Sequence, residues 1–302
     1  MRGAFPTLYW QSKSVGHRRW GLRMREPVAR QNSEITPDEP LIRFENVSIG
    51  FHEGEILRDI SFEVAPGETK VILGESGSGK TVLLKLGAGL LRPDAGRVIV
   101  MGHDLTEMNE VELLDFRRRI GFVFQEGALF DSLDVADNVS FRLREEAISL
   151  EETEPRVREA LRFVEMEEAY DKFPAELSGG MRRRVSIARA IVDQPPIVYY
   201  DSPTAGLDPV TSQTIITLIL RLRDLNGVTS LLATHRLQDA FGLANFVFEP
   251  KERRVVPVWE DEDGLHFAPT NFVVLRNGEI YFQGATTELL KSPDSYLQEF
   301  LE

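Results

Sequence analysis

The chain has 302 residues, 42% of them hydrophobic, and a formal net charge of -13 at pH 7. It contains no cysteine, which excludes disulfides, zinc–thiolate sites and cysteine nucleophiles. So acidic a chain lacks the basic footprint that nucleic acids select, so no nucleic-acid partner is expected. No apolar run reaches the roughly 20 residues of a membrane-spanning helix, so any membrane role is expected to run through partners.

Residues 1–40 form a basic arm (Arg2, Lys13, Arg18, Arg19, Arg23, Arg25, Arg30) with little hydrophobic periodicity and no secretory-signal pattern. It reads as an arm for anionic lipid headgroups, or as a disordered extension or untranslated upstream sequence, with Met24 as the true start. The second reading is the expectation. The folded unit is expected over 41–302. Alternation of apolar and polar positions predicts strands over 41–51 and 56–64. A short apolar strand over 70–73 leads into a glycine-rich loop and a helix over 80–90, and another strand follows over 97–101. From 104 to 192 the pattern is mostly helical, with helices over 133–144, 155–166 and 178–192 and one strand over 120–124. Strands over 197–200 and 228–233 then alternate with helices over 209–225 and 236–244. This rhythm implies a parallel sheet covered on both faces. Residues 249–270 interrupt it. There, 254–259 and 265–267 flank an acidic Asp263-Gly264 turn and read as a hairpin. Strands over 272–276 and 280–282 and two short helices close the chain.

Gly74-Glu75-Ser76-Gly77-Ser78-Gly79-Lys80-Thr81 fits the phosphate-loop pattern. Glycines open backbone conformations in which successive amides converge on a phosphate. The following helix aims its positive end at the same anion. Lys80 supplies a charge for the β- and γ-phosphates of ATP, and the Thr81 hydroxyl is placed to ligate Mg2+. Ile197-Val198-Tyr199-Tyr200-Asp201 is an apolar strand ending in a carboxylate, which is what Mg2+ needs beside such a loop. Asp201 alone would be a weak signal, because apolar strands often end in Asp at a turn.

Leu177-Ser178-Gly179-Gly180-Met181 resembles the signature of ATP-binding-cassette (ABC) proteins, with Met in place of the usual final Gln. Physically it is a second anion cradle, a serine hydroxyl and glycine amides at a helix start. The resemblance extends to Gln125 (Q-loop), Ala205-Gly206-Leu207-Asp208 (D-loop) and His235 (switch histidine), and to Phe51 as the aromatic that stacks on adenine. Each has a plainer reading: Gln125 as a strand cap, His235 as a structural histidine, Phe51 as core. The run Arg182, Arg183, Arg184 reads as a solvated or salt-bridged helix face. The resemblance covers roughly 41–284. It implies an α/β fold: a P-loop NTPase with a RecA-like parallel-sheet core, an antiparallel β subdomain and an α-helical subdomain inserted at about 126–192. Implied with it are ATP and Mg2+ as cofactors, Thr81, Gln125 and Asp201 as metal ligands, and a homodimer whose signature closes on the partner's ATP. A membrane permease is the implied partner, at the cytoplasmic face of the inner membrane. Within the family, Phe124-Gln125-Glu126-Gly127-Ala128-Leu129-Phe130, Asp137-Asn138-Val139 and the Met-ended signature resemble the ATPases of MCE/Mla-type lipid transporters, which implies an MCE-type lipid-binding partner. The apolar Ala128, Leu129 and Phe130 would suit a groove for a partner helix.

One position departs from the family pattern. The glutamate that activates water is replaced by Ser202, and a serine hydroxyl is a poor proton acceptor at neutral pH. The expectation is slow hydrolysis supported by His235, the metal and the signature cradle. The alternatives are a substitute carboxylate, with Glu126 the candidate, and a subunit that binds ATP without turnover. A soluble cassette protein outside transport is the remaining class. The single phosphate loop, the absence of a heptad run and the acidic charge weigh against it.

Overall fold

The computed structural model describes residues 39–301 apart from 53, 259, 262–263 and 266–268, so residues 1–38 of the expected basic arm lie outside the described residues. Strand β1 (Ile42–Phe51) pairs with β2 (Gly54–Val64), and buried positions largely alternate with partly buried ones along β1 and with exposed ones along β2. That is the pattern of a ladder with one face on a core. Every residue of β3 (Thr69–Gly74) is buried, and the chain then passes through the glycine loop into α1 (Lys80–Gly87). β4 (Ala95–Val100) and β5 (His103–Asp104) return to β1, completing a four-stranded antiparallel sheet in the order β2-β1-β4-β5. A capping box of Asn109 and Glu112 starts α2 (Glu110–Arg117), which leads to β6 (Ile120–Val123).

Three helices follow: α3 (Val135–Glu145), α4 (Leu150–Phe163) and α5 (Gly179–Ile191). α4 starts at Leu150, ahead of the residue 155 expected from sequence. Ser149 Oγ accepts the Glu152 amide at 3.3 Å, so the cap precedes Pro155 and the proline lies inside the helix. The chain then alternates β7 (Ile197–Asp201), α6 (Pro209–Asn226), β8 (Thr229–Ala233) and α7 (Leu237–Asn245).

The expected hairpin over 254–267 pairs differently. β9 (Phe246–Glu249) forms the ladder with β10 (Arg254–Pro257), setting Val247 opposite Val256 and Phe248 opposite Val255. Such apolar pairs stabilise an antiparallel ribbon. The base of this ribbon is held to α6. Arg223 Nη2 donates to Phe246 O at 3.0 Å, and the Phe248 amide donates to Asp224 Oδ2 at 2.7 Å. Among the described residues, the two-residue strands β11 (Glu260–Asp261) and β12 (Gly264–Leu265) pair here, and residues 259 and 266–267 of the expected hairpin arms lie outside the described residues. β13 (Thr270–Arg276), β14 (Glu279–Ala285), α8 (Thr286–Leu290) and α9 (Ser295–Leu301) complete the chain.

The main sheet has six strands in the order β14-β13-β3-β8-β7-β6, with β14 alone antiparallel to its neighbour. β3, β7 and β8 are buried throughout, as expected of a parallel sheet covered on both faces. α1 lies against β7, where the Tyr199 hydroxyl donates to Gly87 O at 2.7 Å. A Cβ at Gly87 would come within 2.9 Å of the Tyr199 ring, so glycine permits this approach. One apolar cluster joins both sheets to α1, with Phe44 stacked on Phe62 at 4.6 Å and Leu57, Leu83 and Tyr199 around them.

The loop between β6 and α3 is organised by Asn138, which is fully buried. Its Oδ1 accepts the Phe130 amide at 2.8 Å, and its Nδ2 donates to the carbonyls of Phe130, Leu133 and Asp134 at 2.9–3.0 Å. Asn138→Ala strands these backbone groups away from water. Urea unfolding should show a loss of about 2–3 kcal/mol.

Candidate functional site

Parallel pairing decides where the site lies. Ile72 of β3 is level with Ala233 of β8, Ala233 with Asp201 of β7, and Tyr200 with Val123 of β6. The four strands therefore end along one edge. The segments that follow carry the phosphate loop, Thr234 and His235, Asp201 and Ser202, and Gln125. Ligands of open parallel sheets are met at this edge.

Gly74, Gly77 and Gly79 adopt φ of 153°, 83° and 96°. A Cβ at Gly74 would come within 2.6 Å of Ser78 Oγ and 2.7 Å of Leu275 O, and one at Gly79 within 2.5 Å of Leu57 Cδ2. Glycine is required at both on grounds of space as well as φ. Gly79 is also the N-cap of α1 and provides no side-chain acceptor, so the first amides of the helix are left for an incoming anion. Lys80 Nζ donates to Gly74 O at 2.8 Å, Glu75 O at 2.7 Å and Ser78 Oγ at 3.4 Å. Its ammonium thus lies inside the ring of the loop, and burial lowers its pKa against the pull of Asp201 and Glu75. Glu75, Ser76 and Gly77 form the exposed outer arm. A polar cleft of about 550 Å³ opens beside that arm, walled also by Glu55, Ile56, Arg276 and Tyr296.

The Thr81 hydroxyl lies 3.0–3.1 Å from both Asp201 carboxylate oxygens. Asp201 is buried, and burial raises its pKa; the Thr81 hydrogen bond and the cations Lys85, Lys80 and Arg183 act the other way. Ser202 follows with φ of 44°, a left-handed backbone held by its amide bond to Ala233 O at 2.9 Å. His235 and Gln125 are exposed, and Gln125 lies two residues beyond the end of β6. Phe51 is 50% exposed, outside the core, at the end of the β1–β2 hairpin. That hairpin reaches the phosphate loop through the Leu57–Gly79 contact.

Ser178 and Gly179 lie exposed on another part of the surface. Ser178 caps α5, its Oγ accepting the Met181 amide at 3.3 Å. Gly180 is buried, and a Cβ there would overlap the Thr211 Cγ2 methyl. Asp208 caps α6, accepting the Val210 and Thr211 amides at 3.0 Å. The signature turn and the Asp208 loop are thus packed together through Thr211.

Of the arginine run expected to form a solvated or salt-bridged face, Arg182 is exposed but Arg183 is buried. Arg183 is 5% exposed and donates from Nη1 to Phe124 O at 2.6 Å. Arg182 bonds Leu177 O, and Arg184 bonds Val164 O and Glu165 O. Two turns on, Arg189 donates to Ala128 O at 2.7 Å and Gly127 O at 2.9 Å. Arg183 and Arg189 staple the segment after Gln125 to the signature helix. The charge pattern looks like a solvated face because main-chain carbonyl partners leave no trace in sequence.

The ABC transporter family model matches residues 57–205. The intermembrane phospholipid transport system ATP-binding protein MlaF of Haemophilus influenzae is 33% identical over 244 residues, 80% of this chain and 92% of MlaF. The chain belongs to the ABC transporter ATP-binding family. The probable ribonucleotide transport ATP-binding protein Mkl of Mycobacterium tuberculosis is 39% identical over 212 residues, 70% of this cassette and 59% of Mkl, so the cassette spans little more than half of that relative. Proteins named for methionine and sulfate import match as well. A solved dimeric ATP-binding cassette in a post-hydrolysis state with ADP and Pi superposes with a TM-score of 0.67 at 29% identity, covering 81% of this cassette and 98% of that chain.

Gly180→Ala in this cassette should cost about 1–3 kcal/mol through overpacking. Adding Thr211→Ser removes the methyl that the new Cβ meets. Denaturant midpoints should show the double variant regaining part of the loss.

Proposed function

We propose that this cassette binds MgATP at the phosphate loop and hydrolyses it slowly, as the motor subunit of a lipid transporter. The observation that carries the reading is the convergence of Lys80, Thr81, Asp201, His235 and Gln125 along one sheet edge, with Thr81 in hydrogen-bond contact with Asp201. Hard oxygen donors of this kind suit Mg2+. Among the described residues no group of three or more His, Cys, Asp or Glu could form a cage of its own. Thr81 and Asp201, with Gln125, would hold the ion beside the nucleotide, where it would neutralise charge on the phosphates. The loop amides and Lys80 would bind and orient the triphosphate, Phe51 would offer a face for the adenine, and His235 would serve the γ-phosphate. Ser202 can orient a water molecule but cannot take its proton well.

Several observations support a dimer and membrane partners. Ser178, Gly179 and Asp208 are exposed, so a second copy can bring them over its neighbour's nucleotide. The solved cassette that resembles this one is dimeric. Phe130 and Phe141 are 43% and 38% exposed with rings 4.6 Å apart, just beyond the Gln125 segment, an apolar pair suited to a permease helix. Among the described residues no helix is long and apolar enough to cross a membrane. The lipid cargo, and an MCE-type partner with it, rest on the likeness to MlaF along nearly all of that protein. A second reading, ATP binding without turnover, is favoured by Ser202 alone.

Lys80→Ala should abolish nucleotide binding in a fluorescent-ATP titration; retained binding would overturn the site. Ser202→Glu should raise steady-state turnover by about 10²–10⁴-fold, the usual contribution of a general base. A wild type already as fast as the variant shows that the serine is no handicap. The cassette purified from its native membranes should bring a permease and a lipid-binding subunit, and Phe130→Glu should weaken that recovery. Recovery of ribosomes or DNA instead would refute the transport reading.

A further inference from the structure

Arg236 follows His235 directly, and its side chain reaches the loop after β7. Nη1 carries two N–H groups, one donating to Thr204 O and one to Ser212 Oγ, each at 2.9 Å. Nε lies 3.9 Å from Asp239 Oδ2. The same carboxylate oxygen accepts from the Thr204 hydroxyl and, at 3.4 Å, from the Thr234 hydroxyl. Thr234 Oγ1 in turn accepts the Arg236 amide at 3.0 Å. Thr204, Thr234 and Asp239 are all buried, and the Arg236 side chain is only 24% exposed. Ser212 stands on the first turn of α6, where its amide bonds Asp208 O at 2.9 Å. An unbroken set of hydrogen bonds therefore runs from the residues flanking His235 to the N-cap at Asp208.

We propose that Arg236, clamped by Asp239, is a positioning residue that makes the His235 loop and the Asp208 loop respond together to nucleotide. The inference rests on the reading of 74–81 as the ATP site. A buried polar network whose members are all partnered resists losing one bond at a time, because each orphaned group is costly in a low dielectric. The two loops therefore move as one or not at all. One end of the network adjoins the phosphate edge of the sheet, and the other lies at an exposed turn beside the signature helix. Occupancy of one site is thereby felt at the surface offered to a second copy. Arginine suits the task because its planar fork reaches two acceptors at once.

Amide hydrogen exchange on the full chain, with and without MgATP, tests this. In the wild type, residues 74–81, 204–212 and 233–239 should all gain protection when MgATP is added. Arg236→Ala should keep the gain at 74–81 and 233–239 and lose about tenfold of the nucleotide-dependent gain at 204–212. Arg236→Lys, which keeps the charge but loses the planar fork, should restore only part of it. Ser212→Ala removes one acceptor on an intact background and should weaken the same response. A purely structural tie would change protection at 204–212 equally with and without nucleotide, and that outcome overturns the proposal. So does an Arg236→Ala chain whose 204–212 segment responds to MgATP as the wild type does. A wild type whose 74–81 amides ignore MgATP overturns the ATP reading and this inference with it.

Discussion

Everything at the site depends on the parallel register of β3, β8, β7 and β6. Neighbouring strands lie about 4.8 Å apart. The phosphate loop after β3 and the carboxylate ending β7 are thus about 10 Å apart at the backbone, with the strand leading to His235 between them. α1 closes that gap. Its start carries Lys80 and Thr81, and its far end is held on β7 by the Tyr199–Gly87 bond. A slip of one residue in β7 would turn Asp201 to the other face. The fully apolar run Ile197–Tyr200 resists such a slip less through alternation than through complete burial and the tyrosine bond.

Much of this architecture is legible in the chain because its cues are local. Glycines at 74, 77 and 79, an apolar strand before them and a helix after them leave few alternatives. Asp201, a weak signal alone at the end of an apolar run, gains its meaning from that loop upstream. The features that escape sequence are those decided by partners far along the chain. Arg183 and Arg189 occupy positions that look solvent-facing, yet they meet the carbonyls of Phe124, Gly127 and Ala128 some sixty residues earlier. The four residues of β10 do not by themselves name their neighbour, and β9 is held in place by Arg223 and Asp224 anchoring Phe246 and Phe248. Pro155 is a natural helix-start signal, outweighed by a serine cap six residues ahead of it. Gly180 reads as an anion-cradle residue, whereas its burial against Thr211 gives it a packing reason as well.

The cassette is asymmetric in how it uses its polar groups. Inside, the hydroxyls and carboxylates around Asp239 are consumed in bonds to one another. At the surface, Ser178 caps α5 and Asp208 caps α6 while also accepting from the Thr211 hydroxyl, with Gly179 exposed beside them. A serine that caps through its oxygen lone pairs still has its O–H free to donate. The same side chain can therefore hold its own helix and offer a proton to an anion brought by another copy, with no rearrangement on binding. Preorganisation of this kind lowers the ordering cost of association.

Ser202 alters the charge balance as well as the proton chemistry. Among the described residues, the charged groups that act most on Asp201 are the cations Lys85, Lys80 and Arg183. A glutamate at 202 would set a second carboxylate beside Asp201, and like charges sharing a buried site oppose each other's ionisation. With serine there, the edge keeps one buried carboxylate among three positive charges, an environment that favours a bound polyanion before and after its terminal phosphate is cleaved. Interactions made equally with ground state and transition state tighten binding without speeding the chemical step. A lone carboxylate set among such cations therefore suits the holding of a polyanion, and a serine at 202 adds no charge that opposes it.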